Sequence, residues 1–164
     1  MKLMSTRSTT LVIDREFSSH SELGFALDPR KIIDNSYINM YIHHDGYPSY
    51  HGVELASWIL EKQEGSGFSF ADGSRMAAHL VHDFHYSSQY LYPTKPISLD
   101  CAYTYVIWTG KKDVWISIYD NFAERCVFVG MPHNLLSEYK DKHPLTTFDH
   151  TDWPVKLNPN KTTR

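Results

Sequence analysis

The feature that most constrains the fold is a pair of β-rich runs separated by a short turn. Ala102–Trp108 and Val114–Tyr119 are rich in β-branched and aromatic residues, and the five residues between them include Gly110. Two such runs joined by so few residues are typical of an antiparallel hairpin. The chain is therefore predicted to contain a β-sheet, and its other elements must pack around this hairpin.

The remaining elements are predicted from runs of β-branched and apolar residues and from the spacing of apolar residues, which is two in strands and about 3.6 in helices. The predicted strands are Thr9–Ile13, Ser36–His43 and Cys126–Val129, and the predicted helices are Tyr50–Lys62, Arg75–Tyr86 and His133–Lys140. Segment 14–35, which contains Gly24 and Pro29, is predicted to be a long irregular loop or an insertion, and segment 91–99, with Pro93 and Pro96, is predicted to be an extended connection. This order predicts an α+β fold, with a single antiparallel sheet and helices packed on one face.

Length and charge limit the classes of protein that fit the sequence. A chain of 164 residues usually forms one domain, and residues 145–164 are predicted to be a tail laid on its surface. The formal net charge is −3, and no run of Lys or Arg supplies a basic face. Nonspecific binding to nucleic acid is therefore not expected, whereas binding of one small anionic ligand stays open.

The cysteines and the N-terminal residues predict a cytoplasmic protein. Cys101 and Cys126 lie in apolar stretches, and we expect both to be reduced and buried. The first seven residues lack the apolar core of a secretory signal. No window approaches 18 apolar residues, so no membrane-spanning helix is expected.

The chain is rich in aromatic residues, with 11 Tyr, 8 Phe and 4 Trp. Large rings can fill a small core, or they can form a recognition surface. In the hairpin, Tyr103, Tyr105 and Trp108 could form a stacking platform for single-stranded nucleic acid, although basic residues do not flank them.

The most concentrated polar segment runs from His43 to His51, between a predicted strand and a predicted helix. It could be a binding surface, a metal or acid–base site, or a turn whose role is structural. A metal site could include His43, His44, His79 and Asp83, although His79 and Asp83 also fit a solvated helix face. Neighbouring strand residues point to opposite faces, so His43 and His44 could share one ion only if the strand had already ended. This geometry favours a binding surface.

Other known catalytic and phosphate-binding motifs are missing from the sequence. Gly65 and Gly67 are not followed by the Lys-Ser/Thr pair of a phosphate-binding loop. There is no Gly-x-Ser-x-Gly motif, and neither cysteine has a His partner nearby in the sequence. No catalytic residue is therefore assigned, and no cofactor is expected.

Two segments together resemble a known group of proteins. Residues 5–9 (Ser-Thr-Arg-Ser-Thr) and 41–48 (Tyr-Ile-His-His-Asp-Gly-Tyr-Pro) are similar to motifs in small accessory proteins encoded by tailed phages and prophages. Residues 116–120 and 127–132 also resemble the closing strands and helix of that group. In those proteins a Trp usually occupies the position of His44. The resemblance implies a shared surface at the following positions: Arg7, Ser8, His43, Asp45, Gly46, Tyr47 and Pro48.

The resemblance implies an accessory protein that works in the cytoplasm of an infected bacterium, and it brings no activity with it. The leading hypothesis is a protein that binds a host or viral protein, or a small anionic ligand, through residues 7–8 and 43–48. Such binding could counter a bacterial defence system. One alternative is a metal-dependent hydrolase or nucleotide-processing enzyme that uses His43, His44 and Asp45, with His79 and Asp83. Another is a structural protein that forms homo-oligomers.

Overall fold

The computed structural model of the protein describes residues 6–15, 28–65, 71–85, 88–91 and 101–142. Its strands are β1 (Ser8–Asp14), β2 (Asn39–Ile42), β3 (Ser88–Leu91), β4 (Tyr103–Thr109), β5 (Val114–Asp120) and β6 (Arg125–Gly130). Its helices are α1 (Pro29–Ile32), α2 (Val53–Gly65), α3 (Gly73–Asp83) and α4 (Pro132–Tyr139). A 3-10 turn (Ile33–Asn35) follows α1, and a π-helical turn (Pro48–Gly52) leads into α2.

The strands form one sheet in the order β3-β2-β1-β4-β5-β6. The predicted hairpin is confirmed: β4 pairs antiparallel with β5 from Tyr103 opposite Asp120 to Thr109 opposite Val114. A further antiparallel pairing joins β5 to β6, with a bulge between Ile118 and Tyr119. The predicted α+β class is confirmed.

The centre of the sheet differs from the predicted antiparallel arrangement. β1 pairs parallel with β4, from Ser8 opposite Tyr103 to Asp14 opposite Thr109. Parallel strands need a long crossover connection, and here β2, α2, α3 and β3 lie between them in the chain. The β-branched, apolar run Thr9–Ile13 predicts a strand but does not encode the partner of that strand, which explains why the parallel pair was not predicted.

Both faces of the sheet are buried. On one face, residues such as Val12, Tyr105 and Ile116 form a core cluster with helices α2, α3 and α4. The three longer helices therefore agree with the prediction of helices on one face. On the other face, Trp108 and its neighbours form a second cluster, which includes Ile32 from α1.

The sequence did not predict α1, the 3-10 turn or β3, and some predictions fall outside the described residues. Segment 14–35 was predicted to be irregular, but residues 29–35 form α1 and the 3-10 turn. β3 is only four residues long, too short to show a period of two. Of the predicted connection 91–99, Leu91 is the last residue of β3, and residues 92–99 lie outside the described residues, as does the predicted tail 145–164.

Asp14 attaches the start of α3 to the end of β1. Its Oδ1 accepts hydrogen bonds from the backbone N of Gly73, at 2.6 Å, and from the hydroxyl of Thr109. Its Oδ2 accepts a hydrogen bond of 2.7 Å from the hydroxyl of Tyr37. Asp72 caps the same helix by accepting a hydrogen bond from the backbone N of Arg75.

Asp83, at the end of α3, accepts hydrogen bonds from two side chains of α2. Its Oδ2 accepts hydrogen bonds from Trp58 Nε1 at 2.7 Å and from Lys62 Nζ at 2.8 Å. Its Oδ1 lies 2.9 Å from Nδ1 of His82. The face of α3 that was predicted to be solvated therefore contributes a contact between two helices.

We predict that Asp83→Ala lowers the free energy of unfolding by about 1–3 kcal/mol, because the indole N–H of the buried Trp58 loses its acceptor. Hydrogen bonds from Lys62, His82 and Trp58 hold the pKa of the Asp83 carboxyl well below its ordinary value. The stabilisation is therefore present above that ordinary value and is lost as the pH falls toward the lowered pKa.

Urea unfolding at neutral and acidic pH measures both effects. Glu64→Ala, at an exposed position on α2, is the control and should change the free energy of unfolding little. An equal decrease in the free energy of unfolding in both variants would contradict a specific role for Asp83.

Candidate functional site

The polar segment 43–47 forms a turn whose inner side is fixed to β1 and β4. The backbone N of Gly46 donates a 2.9 Å hydrogen bond to the carbonyl of Thr6. The hydroxyl of Tyr105 donates a 2.7 Å hydrogen bond to the carbonyl of Gly46. Gly46 is buried and lies against Ser8, which is fully buried. The structure therefore brings residues 6–8 and the turn into direct contact, although more than 30 residues separate them in the chain.

The outer side of the turn is formed by His44 and Asp45, which are both exposed. Asp45 has a φ of 57°, which is the left-handed region that favours glycine. Asp is one of the few other residues that occupy this region with some frequency. Strained backbone positions cluster at ligand-binding sites. The strained and exposed backbone at Asp45 therefore makes the turn a candidate site.

His43 lies beside Tyr41, His44 and Arg7. A 2.8 Å hydrogen bond joins the hydroxyl of Tyr41 to Nδ1 of His43. The rings of His43 and His44 are edge to face, with centroids 4.5 Å apart. Desolvation lowers the pKa of His43, and the positive charges of His44 and Arg7 lower it further.

The backbone meets the condition under which His43 and His44 could share a ligand. Both residues follow the strand, because β2 ends at Ile42. Because alternation ends there, the two imidazoles turn toward each other.

Tyr47 and Pro48 complete the predicted surface, and they face inward. Tyr47 is half-buried and packs against the core cluster on the helix-covered face, and burial raises the pKa of its hydroxyl. Pro48 is buried and begins the π-helical turn. Of the eight residues predicted to bind, Ser8, Gly46 and Pro48 are buried, whereas Arg7 and His43 are half-buried.

The structure does not assemble the proposed metal site. Among the described residues, no group of three His, Cys, Asp or Glu side chains lies close enough to hold a metal ion. Asp83 contacts Lys62 and Trp58, whereas His43 contacts Tyr41. Asp83 and His43, two of the proposed metal ligands, therefore take part in separate contacts.

The proposed aromatic platform is also wrong. Tyr103, Tyr105 and Trp108 are each at most 1% exposed. No base could stack on them without opening the core. These rings fill the core, which is the other role that the composition allowed.

A buried histidine, which the sequence interpretation did not single out, lies beneath the turn. His51 belongs to the π-helical turn and is 1% exposed. Its Nε2 lies 2.9 Å from the hydroxyl oxygen of Thr10, and its ring is edge to face with Tyr105 and Phe84. π-Helical turns are rare and often occur at functional sites.

Thr10, His51 and Glu54 follow the hydroxyl–imidazole–carboxylate order of a catalytic triad. The distance between His51 Nδ1 and Glu54 Oε2 is 3.9 Å, which is too long for a hydrogen bond. The hydroxyl-bearing Thr10 is also fully buried, so a substrate has no access to it. The hydrogen bond between His51 and Thr10 joins the π-helical turn to β1, and the arrangement is not a nucleophilic site.

Burial lowers the pKa of His51, and Glu54 opposes this effect only in part. The unfolded chain therefore binds a proton at this position more readily than the folded protein does. We predict that the free energy of unfolding falls as the pH drops below the ordinary value of 6.5 and levels off below the lowered pKa. The slope can reach about 1.4 kcal/mol per pH unit for one proton.

Chemical unfolding across this pH range checks the prediction. The double variant Thr10→Val/His51→Phe removes both members of the buried hydrogen bond and should lose this part of the pH dependence. His44→Gln, at an exposed position, should retain it. A double variant with the pH profile of the wild type would refute the role of His51.

The two cysteines differ in burial. Both are free thiols; Cys101 is buried as predicted, but Cys126 is only half-buried, which contradicts the prediction for that residue. Cys126 lies on the outermost strand β6, where its Sγ contacts the carbonyl of Phe128 at 3.1 Å. Partial burial raises the pKa of this thiol, so it is a weak nucleophile at neutral pH.

Comparisons with protein-family models, with curated proteins and with solved structures found no match to this chain. Within the described part of the chain, none of the helices is long and apolar enough to pass through a membrane.

We predict that Gly46→Ala lowers the free energy of unfolding by about 1–3 kcal/mol, a typical effect of overpacking. A Cβ at this position would lie 2.8 Å from Cβ and Oγ of Ser8 and 2.9 Å from the carbonyl oxygen of Thr6. Urea unfolding measures the change. Gly65→Ala is the matched control, because an added Cβ meets no atom of the described residues within 4 Å and alanine favours the helix. Wild-type stability in Gly46→Ala would show that the turn is not fixed to β1.

Proposed function

We propose that the protein is a phage-encoded accessory protein that acts in the bacterial cytoplasm by binding a host or viral protein. The contact is made through the outer turn surface, which we define as Arg7, His43, His44 and Asp45. Binding through this surface would blunt a host defence component. The protein then needs no catalytic group of its own.

The observation that carries the proposal is the contrast between the two sides of the turn. The inner side is held by the hydrogen bonds of Gly46 to Thr6 and Tyr105. The outer side exposes His44 and Asp45 in a fixed and strained conformation. A rigid surface loses little conformational entropy on binding, which favours recognition.

The chemistry of the outer turn surface favours a partner that carries an acidic group. Arg7 is close enough to His43 to lower its pKa, and the ring of His44 contacts His43. A carboxylate of the partner could accept hydrogen bonds from the guanidinium and an imidazole, while Asp45 would exclude an extended polyanion. This agrees with the net charge of −3.

The resemblance to phage accessory proteins supports the same surface, since its motifs include Arg7, His43 and Asp45. His44 is a departure from that pattern, but an imidazole retains a flat ring at the position where the group usually has Trp. The metal-dependent enzyme loses support, because the described residues do not group its ligands. A purely structural role would require that exposed residues of the turn can be changed without effect on any partner.

The test compares charge-removing variants at the two ends of the sheet. His44→Gln/Asp45→Asn removes the exposed groups, and Asn tolerates the left-handed backbone at position 45. The control is Asp113→Asn/His133→Gln, because both positions are exposed and lie near the opposite end of the sheet. Crosslinking in phage-infected bacteria identifies the partner, and calorimetry with the purified partner measures affinity.

We expect the variant His44→Gln/Asp45→Asn to raise the Kd by roughly tenfold or more, because charge-assisted hydrogen bonds are lost. The control should bind like the wild type, and all proteins should unfold at similar urea concentrations. Equal affinity of both double variants, or no partner that binds the purified protein, would refute the proposal.

A further inference from the structure

A cleft lies at the same end of the sheet as the turn, between the β5–β6 connection and α4. Its volume is about 290 Å³, at the lower limit of the roughly 300–1,000 Å³ typical of small-molecule pockets. The register aligns Ser8, Tyr103, Asp120 and Arg125 in one row across this end of the sheet. Pro48 lines the cleft, so the cleft adjoins the turn.

The wall of the cleft carries two positive and two negative side chains. Arg125 and Lys142 supply the cations, and Asp120 and Glu138 supply the carboxylates. Their formal charges cancel when all four groups are ionised. A doubly charged anion such as phosphate would therefore face two carboxylates, and a simple cation would face two positive groups.

Asp120 is the buried member of this set, with 4% of its surface exposed. Its Oδ1 accepts hydrogen bonds from the backbone N of Phe122, at 3.0 Å, and from that of Ala123, at 2.8 Å. Among the described residues, no hydrogen bond to its Oδ2 is found. Desolvation raises the pKa of the carboxyl, and a neighbouring ligand cation would favour its charged form.

The other charged groups of the cleft are available to a ligand. Among the described residues, Arg125, Glu138 and Lys142 form no ion pair within 4.0 Å. Lys142 Nζ lies 4.9 Å from the ring centre of Tyr139, which places its charge over an aromatic wall. A metal ion is not favoured, because Asp120, Cys126 and Glu138 do not form a metal-binding group in the described part of the chain.

We propose that this cleft binds a small zwitterion that carries one ammonium and one carboxylate group, such as a free amino acid. The ammonium group lies against Asp120 and Glu138, and the carboxylate lies against Arg125 and Lys142. Val127 and the ring of Tyr139, which also line the cleft, contact the apolar part of the ligand. This site is separate from the outer turn surface, and its occupancy does not depend on the proposed partner.

The test titrates the isotope-labelled full chain with each standard amino acid and follows the backbone amide signals by NMR. The best binder is then compared with its deaminated and its decarboxylated analogue. We expect shifts at residues 125–127 and 138–142, and weaker binding of both analogues. Arg125→Gln and Glu138→Gln should each raise the Kd roughly 10- to 100-fold.

Lys112→Gln and Glu61→Gln are the matched controls, because both positions lie outside the cleft. They should leave the Kd unchanged. The proposal is overturned if no amino acid binds, if the shifts lie outside the cleft, or if an analogue with a single charged group binds as tightly as the zwitterion. Unfolding curves for each variant separate loss of binding from loss of fold.

Discussion

The carbonyl oxygens of Thr6 and Arg7 accept hydrogen bonds from two other parts of the chain, just before β1 begins. Thr6 accepts from Gly46 of the turn at 2.9 Å, and Arg7 accepts from Ala102 at 2.8 Å, next to β4. From this point β1 pairs with β2 on one side and with β4 on the other. The position of the turn and the register of the central strands therefore depend on the same two backbone groups.

The parts of the fold that could be predicted are those whose partners lie close together in the chain. The β4–β5 hairpin is local, so a turn around Gly110 and two β-rich runs were sufficient to predict it. The parallel pairing of Ser8 with Tyr103 spans about 95 residues, and no local pattern specifies it. The bend of the chain into a π-helical turn at residues 48–52 was also missed, because that geometry follows from the packing of His51 onto Thr10.

The candidate site shows a similar division between what the sequence encodes and what only packing reveals. Residues 43–48 could be found because polar and turn-forming residues are concentrated there. This motif contains both a residue required for packing and residues exposed at the surface, and the sequence alone does not separate the two. Gly46 is needed because Ser8 occupies the space of a Cβ, whereas His44 and Asp45 meet no such constraint. Gly46 therefore accounts for the architecture of the turn, and only the exposed pair is free of that packing constraint.

The side chain of Tyr105 contacts both the buried His51 and the turn of the candidate site. Its hydroxyl donates to the carbonyl of Gly46, and its ring contacts His51 with centroids 4.9 Å apart. A change at His51 that displaces Tyr105 would therefore also displace the inner side of the turn. His44 and Asp45 lie beyond this contact, on the solvent side. Substitutions at these two positions can therefore test the proposed binding without disturbing the core, whereas substitutions at Tyr105 or His51 would change the turn and the stability together.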